Sequence, residues 1–414
     1  MNSRRVVITG MGGVSSIGTG LTNIAQALRE GRSGITHVDD WAERGIYSRV
    51  GGLPEPEPDS PITTRKAAKT SSSCGLMAMR ATTEALEQAG LTVEQVRGSH
   101  LPVLIGSGTG SSIENHRIAA SVEKYHNTRR VSPFGVPRVM GSTASANVSV
   151  ALGVKGESWS VSSACSTGSH ALGLAAMMIR WGRYDRVLAG AADEIDWSRA
   201  GAFDAMRALS RGFNDRPEQA SRPFDRDRDG FVISGGAGVL LLESLEAALE
   251  RGAPIQAEIL GFGANSDGRD MVAPDPSGAA AVMRLALEEA GIAPDEVDYV
   301  NAHDTSTPQG DPSEARAMEE VFGNRQPWIS STKSITGHAI GAAGSLEAIY
   351  SVLMLQEGFV APSRNVENID PDCAHLNLVT ETNSLAPRIA LSNSFGFGGT
   401  NACLVLGRWE DGTA

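Results

Sequence analysis

The sequence has only four cysteines in 414 residues, Cys74, Cys165, Cys373 and Cys403, widely scattered and without a C-x-x-C pair. That excludes a disulfide framework and a zinc ribbon, and leaves each thiol to be explained on its own. It also lacks any apolar run approaching the roughly 18 residues of a membrane-spanning helix. A cationic excess is missing too: 36 Lys and Arg stand against 48 Asp and Glu, a formal charge of −12. A face able to bind nucleic-acid phosphates in general is therefore not expected. The opening MNSRRVVITG has a basic pair but too short an apolar stretch to read as a signal peptide. With 41% hydrophobic and 20% charged residues, what remains is the composition of a globular cytoplasmic enzyme, without membrane or nucleic-acid partners.

At this length one ordinary core is not enough, and two or three domains or two fused halves are expected. Apolar β-rich runs, RVVITG (5–10), LPVLIG (101–106), RVLAGA (186–191) and DYVNAH (298–303), recur between Gly-rich turns and helical patterns. That alternation predicts an α/β fold of parallel sheets covered by helices. ALEQAGLTVEQV (85–96) is echoed by ALEEAGIAPDEV (286–297), each followed within a few residues by an apolar strand and a small-residue loop. Chance amphipathic helices would give the same local wording. A duplicated helix–turn–strand unit instead predicts two related halves, 1–250 and 251–414, whose loops meet beyond the strand ends.

Cys165 lies in SVSSACSTGSHALG (160–173), where a short apolar strand is expected to give way to a helix over 165–182. At a helix start, unpaired N–H groups favour a thiolate, and Ala164, Ser166 and Gly168 leave room for a substrate. Small neighbours suit a tightly packed structural cysteine equally well. The second half bears on the choice. His303 ends a strand in NAHDTSTP (301–308), Lys333 and His338 precede a helix in STKSITGHAIGAAGS (331–345), and NSFGFGGTN (393–401) is a loop able to bring backbone N–H groups onto a ligand. Two histidines and a lysine at strand ends among small polar residues form a catalytic pattern.

SSACSTGSH, RPFDRDRDGFVISGGAG (222–238), the two histidine motifs and NSFGFGGTN, in this order and with LREGRSGI (28–35) ahead of them, resemble the β-ketoacyl-acyl carrier protein synthases. These are the condensing enzymes of the thiolase superfamily, and the likeness is to the stand-alone elongating types I and II. It implies a thiolase-like fold, two related βαβ halves in a layered α-β-α-β-α arrangement. It also implies a decarboxylative Claisen condensation of an acyl thioester with malonyl-acyl carrier protein. Cys165 would carry the acyl group, His303 and His338 would promote decarboxylation, and Lys333 would support them. The N–H groups of Cys165 and Phe397 would form the oxyanion hole, with Phe397 also gating the acyl pocket. The resemblance further places Thr305 and Thr307 on a phosphopantetheine arm and Thr109 in the acyl pocket. It implies carrier-protein docking at Arg65, Lys66 and Lys69, with Arg129 and Arg130 as a second basic cluster, and a structural monovalent cation at Asn301, Glu347, Ser392 and Asn393. No cofactor is required beyond the carrier's phosphopantetheine. The family usually forms homodimers, and a heterodimer with a related subunit stays open.

The chain departs from the pattern once: the residue after the first histidine is usually Gly and here is Asp304. Asp tolerates left-handed backbone better than most residues, so the loop is expected to keep its geometry. His170 reads as structural. DRDRDG (225–230) begins like a calcium loop but has Gly236 where the twelfth-position Glu belongs. GSGTGS (106–111) is too weak a signal for dinucleotide binding, and zinc at Cys165, His303 and His338 would be opposed by Lys333. Two other functions remain to be weighed. A non-catalytic, chain-length-determining partner subunit typically lacks the nucleophile, and a coenzyme A thiolase needs a second cysteine in C-x-G-x-G, whereas Cys403 is followed by LVLG.

Overall fold

The strand Val6–Ser15 is buried at every position, which is why its sequence, VVITGMGGVS, is apolar or small throughout instead of alternating. It lies near the middle of one hydrogen-bonded sheet in the computed structural model, which describes residues 4–410. From one edge the order is Trp328–Ser330, Tyr299–Asn301, Ile389–Gly396, Thr400–Arg408, Ala257–Ser266, Val6–Ser15, Gly236–Ser244, Arg186–Asp193, Val103–Gly106 and Ser158–Trp159.

Ala257–Ser266 and Val6–Ser15 meet over only three residue pairs, Val6 to Ile8 against Ile259 to Ala257. On either side of this seam the pattern is the same. Two antiparallel pairings come first, then two parallel ones. The echoed segments at 85–96 and 286–297 hold equivalent places in the two runs, each closing a helix packed on the seam strand of its own run, Ser73–Gln88 on Val6–Ser15 and Pro276–Ala290 on Ala257–Ser266. The sheet is therefore mixed, where the alternation of strands and helices predicts parallel sheets. One of the antiparallel pairings follows from chain length: Ile389–Gly396 and Thr400–Arg408 are joined by three residues, too few for a crossover.

Two helices, Thr167–Arg180 and Ala343–Glu357, pack against each other and against strands of both runs, making the middle layer of an α-β-α-β-α stack. The largest apolar cluster fills this layer, and separate clusters lie under the outer helices of each run. The two middle helices cross at their first turns, where a Cβ on Gly168 would stand 2.4 Å from the Ser345 nitrogen and one on Gly344 would stand 2.3 Å from Ser169 Oγ. Close crossing brings the N-terminal ends of both helices, and the loops leading into them, to one place.

Candidate active site

Cys165 sits on the elbow leading into the helix Thr167–Arg180, outside the helix and ahead of its N-cap Ser166. Ala164 takes a left-handed φ of 50°, a conformation that a side chain with a Cβ rarely adopts. Local bonds hold the bend. Thr167 Oγ1 accepts from the Ser163 N–H at 2.9 Å and donates to the Ala164 carbonyl at 2.8 Å. Ser166 Oγ lies 2.9 Å from the Ser394 carbonyl and 2.7 Å from that of Thr400, tying the elbow to the glycine-rich hairpin of the other run. His170 Nδ1 is within bonding distance of Ser163 Oγ and the Ser166 carbonyl, so it braces the bend as a structural residue.

Burial pushes the Cys165 thiol up to about 12, against the pull of the Lys333 charge and of the Phe397 and Cys165 amides, which favour the thiolate. The expectation that a helix start would lower this pKa is corrected here. The thiol stands one residue before the cap, and its desolvation outweighs the N–H groups. The Phe397 and Cys165 amides are nonetheless among the groups that favour the thiolate.

His303 follows the strand Tyr299–Asn301, and its N–H donates to Glu314 Oε1 at 3.0 Å. His338 is reached through Lys333–Thr336, and its N–H and carbonyl bond to the backbone at Val232 and Ser234. The donor atoms of Cys165, His303 and His338 all lie within 4.8 Å of one another. The imidazoles stand edge to face, with centroids 5.3 Å apart. Burial lowers the pKa of both rings well below the usual histidine range, and Lys333 lowers it further. Each ring is therefore neutral near pH 7, with one N–H donor and one acceptor nitrogen. Neither ring nitrogen of His338, nor Nδ1 of His303, has a partner among the described residues. By type the three donors would suit a soft metal, but the Lys333 charge acts on all of them and opposes a cation.

Lys333 is 1% exposed and its ammonium pairs with Glu347 Oε1, with the Ala302 carbonyl at 3.4 Å. Asn301, Glu347, Ser392 and Asn393 are all buried, and Glu347 Oε2, Ser392 Oγ and Asn393 Oδ1 lack partners among the described residues. Such free oxygens fit a monovalent ion, although Lys333 already supplies positive charge beside Glu347.

A cavity of about 400 Å³ opens beside His303 and is also lined by Thr307, Met206, Met271, Phe395 and Phe397. Phe397, on the hairpin tip before Gly398 and Gly399 (φ 84° and 68°), stands at 38% exposure, with its ring centroid 6.2 Å from that of Phe203. Thr305 Oγ1 lies 3.3 Å from Thr307 Oγ1 beside the cavity. Thr109 is exposed and does not line it. Its loop is tied through the Gly108 carbonyl to Ser162, three residues before the thiol.

Arg65, Lys66 and Lys69 are exposed on the short helix Arg65–Thr70, capped by Thr64, and Arg129 and Arg130 are exposed in the connection after Ser112–Tyr125. Arg138 links the two regions, donating to the Lys69 carbonyl at 2.9 Å. Cys403 is fully buried within Thr400–Arg408, where it cannot serve as a second catalytic thiol. Asp304 is not left-handed; Ser306 takes that conformation instead (φ 71°), so the tolerance expected of Asp304 is not called upon.

Two residues that sequence reasoning missed organise the site. Glu314 holds the His303 amide, and Asp193 accepts from Ser107 Oγ, the Gly108 and Gly341 amides and Arg199. For Glu314 the available signal was an acidic residue among Ala315, Ala317 and Met318 on the buried side of Gly310–Phe322.

Residues 3–248 match the family model described as Beta-ketoacyl synthase, N-terminal domain, and residues 256–367 match Beta-ketoacyl synthase, C-terminal domain. The 3-oxoacyl-[acyl-carrier-protein] synthase 1 of Escherichia coli K12 is 44% identical, covering 99% of this chain and all of that protein. A β-ketoacyl synthase crystal structure from Burkholderia phymatum superposes with a TM-score of 0.92 at 38% identity, covering 98% of this chain and all of the other. A type II polyketide ketosynthase in complex with its acyl-carrier protein gives 0.90 at 30% identity, covering 99% and 100%. With its thiol and two neutral imidazoles gathered from the two runs of one sheet, the chain belongs to the β-ketoacyl synthase family.

Proposed function

We propose that the protein is a 3-oxoacyl-[acyl-carrier-protein] synthase that joins an acyl group held on Cys165 to the two-carbon unit of malonyl-acyl carrier protein. The observation that carries this reading is the gathering of Cys165, His303 and His338 within 4.8 Å. In the first half-reaction a neutral imidazole accepts the thiol proton. The sulfur then attacks the acyl thioester, and the pantetheine thiol leaves with a proton. In the second, malonyl loses carbon dioxide, and the electron pair left behind becomes an enolate. His303 and His338, each with one N–H, donate to the enolate oxygen. The enolate carbon attacks the acyl-Cys165 carbonyl while the Cys165 and Phe397 amides hold the oxyanion, and the thiolate departs. Lys333, locked on Glu347, favours both the thiolate and the neutral imidazoles.

In the same reading, 1–250 supplies the thiol, and 251–414 supplies the histidines, Lys333 and the hairpin. Thr305 and Thr307 steady the phosphopantetheine arm along the cavity and Phe397 gates it, while the acyl-pocket role expected of Thr109 is dropped because that residue is exposed and off the cavity. A monovalent ion at Asn301, Glu347, Ser392 and Asn393 would be structural. The acidic acyl carrier protein docks on Arg65, Lys66 and Lys69 with Arg129 and Arg130, a local basic face on an acidic chain. A homodimer is supported by the open edge of the sheet at Ser158–Trp159, where Trp159 is 37% exposed, and by Val150, 73% exposed on the neighbouring helix Thr143–Leu152. Among the described residues no helix is long and apolar enough to cross a membrane. Either fatty-acid or polyketide elongation would use this chemistry.

Incubation with acyl-carrier protein followed by intact-mass measurement tests the reading. The protein should gain one acyl group, and Cys165→Ala should gain none. No adduct across acyl donors of different length would favour a non-catalytic partner subunit.

A further inference from the structure

We propose that Asp193 is a positioning residue for His338: reaching across from the other run of the sheet, its carboxylate captures the Gly341 amide and so holds the strained turn that carries the imidazole. The effect on catalysis rests on the condensation reading above, whereas the held turn does not.

No hydrogen bond among the described residues reaches either ring nitrogen of His338, so the place of the ring is set by its backbone and by ring contacts with Phe231 and His303, at 5.5 and 5.3 Å between centroids. On one side that backbone is fixed. The His338 N–H donates to the Val232 carbonyl at 2.8 Å, and the Ser234 N–H donates to the His338 carbonyl at 2.9 Å. Two residues later the chain passes through Ile340 at a φ of 51°. A β-branched residue rarely takes that left-handed conformation, which persists only where the surroundings impose it. The Ile340 side chain is itself buried, in the same apolar cluster as Phe231 and Ile233, so the turn keeps its strain in exchange for that packing. The next residue supplies the hold: the Gly341 N–H donates to Asp193 Oδ2 at 2.8 Å.

Asp193 closes the strand Arg186–Asp193 and is fully buried, with its charge balanced by Arg199. Both of its oxygens accept twice. Oδ2 also takes the Gly108 N–H at 3.0 Å, and Oδ1 takes the Ser107 hydroxyl at 2.7 Å and the Arg199 guanidinium at 3.2 Å. The approach is close enough to require glycine at 341, where a Cβ would stand 2.6 Å from Asp193 Oδ2 and 2.7 Å from the Gly108 nitrogen. Ser162 Oγ, three residues before the thiol, donates to the Gly108 carbonyl at 3.2 Å. One carboxylate thus ties the turn of His338, from 251–414, to the loop beside Cys165, from 1–250. Without that acceptor the Gly341 N–H is a buried donor with no partner, and the left-handed Ile340 loses the bond that offsets its strain. The turn then relaxes, and His338 leaves the place it shares with His303 and Cys165.

The test compares two double variants of the full chain, Asp193→Asn with Arg199→Met and Asp193→Ala with Arg199→Met. Both remove the buried charge pair together, so neither leaves an ion unpaired in the interior, and they differ only in the acceptor. The Asn oxygen can still take the two backbone amides while its nitrogen donates to Ser107 Oγ, whereas Ala takes neither. Amide hydrogen exchange followed by mass should show Gly341 protected in wild type and in the Asn variant, and exchanging fast in the Ala variant. Release of carbon dioxide from malonyl-acyl carrier protein should fall about 10–10²-fold in kcat in the Ala variant with KM held within about threefold, and the Asn variant should keep kcat within about threefold of wild type. The proposal is overturned by fast exchange at Gly341 in wild type, by protection of Gly341 in the Ala variant, or by equal kcat in the two double variants. Any of these would leave the condensation reading standing, and a Cys165 that takes no acyl group would remove that reading with the exchange result intact.

Discussion

The imidazoles of His303 and His338 come from two different loops of one run of the sheet, yet they stand edge to face at 87° with their centroids 5.3 Å apart. Neither can be protonated at neutral pH without charge being buried beside Lys333. In the proposed mechanism, two neutral N–H donors serving one enolate oxygen distinguish the decarboxylation half-reaction from acyl transfer.

Replacing either ring should therefore separate the halves of the reaction. His303→Ala or His338→Ala should slow release of carbon dioxide from malonyl-carrier protein about 10²–10³-fold, the usual cost of removing one oxyanion donor. Acylation of Cys165, followed by mass, should persist in at least one of the two. Wild-type decarboxylation in both variants would contradict the assignment.

Lys333 and Glu347 form a pair that is 1% and 2% exposed, so each is costly without the other. Lys333→Met alone should destabilise the protein by about 3–5 kcal/mol, measured by denaturant unfolding, because a buried carboxylate is left without a cation. Adding Glu347→Gln should restore most of that loss. Equal stability of the single and double variants would show the pair to be energetically idle.

The double variant also isolates the effect of Lys333 on the thiol. Burial holds the Cys165 pKa at about 12, so alkylation by iodoacetamide should keep accelerating through the alkaline range, without levelling near pH 8.5 as an ordinary thiol does. Lys333 lowers that pKa, so its removal raises it further, and labelling should be slower at every pH below the new midpoint. Faster labelling in the double variant would reverse the assigned sign.

The basic face should act on encounter and not on chemistry. Arg65→Glu with Lys69→Glu should raise KM for an acyl-carrier protein about tenfold at low salt and leave kcat unchanged, and the gap should shrink as salt screens the charges. An unchanged KM would place docking elsewhere.

Much of this candidate site was legible in the sequence because each side chain proposed to react or to support the reaction sits in a short motif of small residues. SSACSTGSH, NAHDTSTP, STKSITGH and NSFGFGGTN marked Cys165, His303, Lys333, His338 and Phe397. The echo at 85–96 and 286–297 marked helices that hold equivalent places in the two runs. Strand direction was less legible, because NSFGFGGTN reads as a loop, while its ends are the last and first residues of two paired strands. A three-residue link containing two glycines between apolar runs was the hairpin signal in the sequence. The thiol's pKa was misjudged because it depends on how deeply the fold buries an elbow, a tertiary property. Glu314 and Asp193 went unread for the same reason: a carboxylate becomes a site residue only when amides from distant loops are delivered to it.

The most direct measurement is a single turnover. Enzyme carrying an acyl group on Cys165, freed of excess donor, is mixed with malonyl-acyl carrier protein, and both proteins are followed by intact mass. The acyl group should leave Cys165 as a 3-oxoacyl chain two carbons longer appears on the carrier, in step with release of carbon dioxide. Carbon dioxide released while the acyl group stays on Cys165 would mean that the thiol and the two imidazoles do not work on one substrate, and the account would fail.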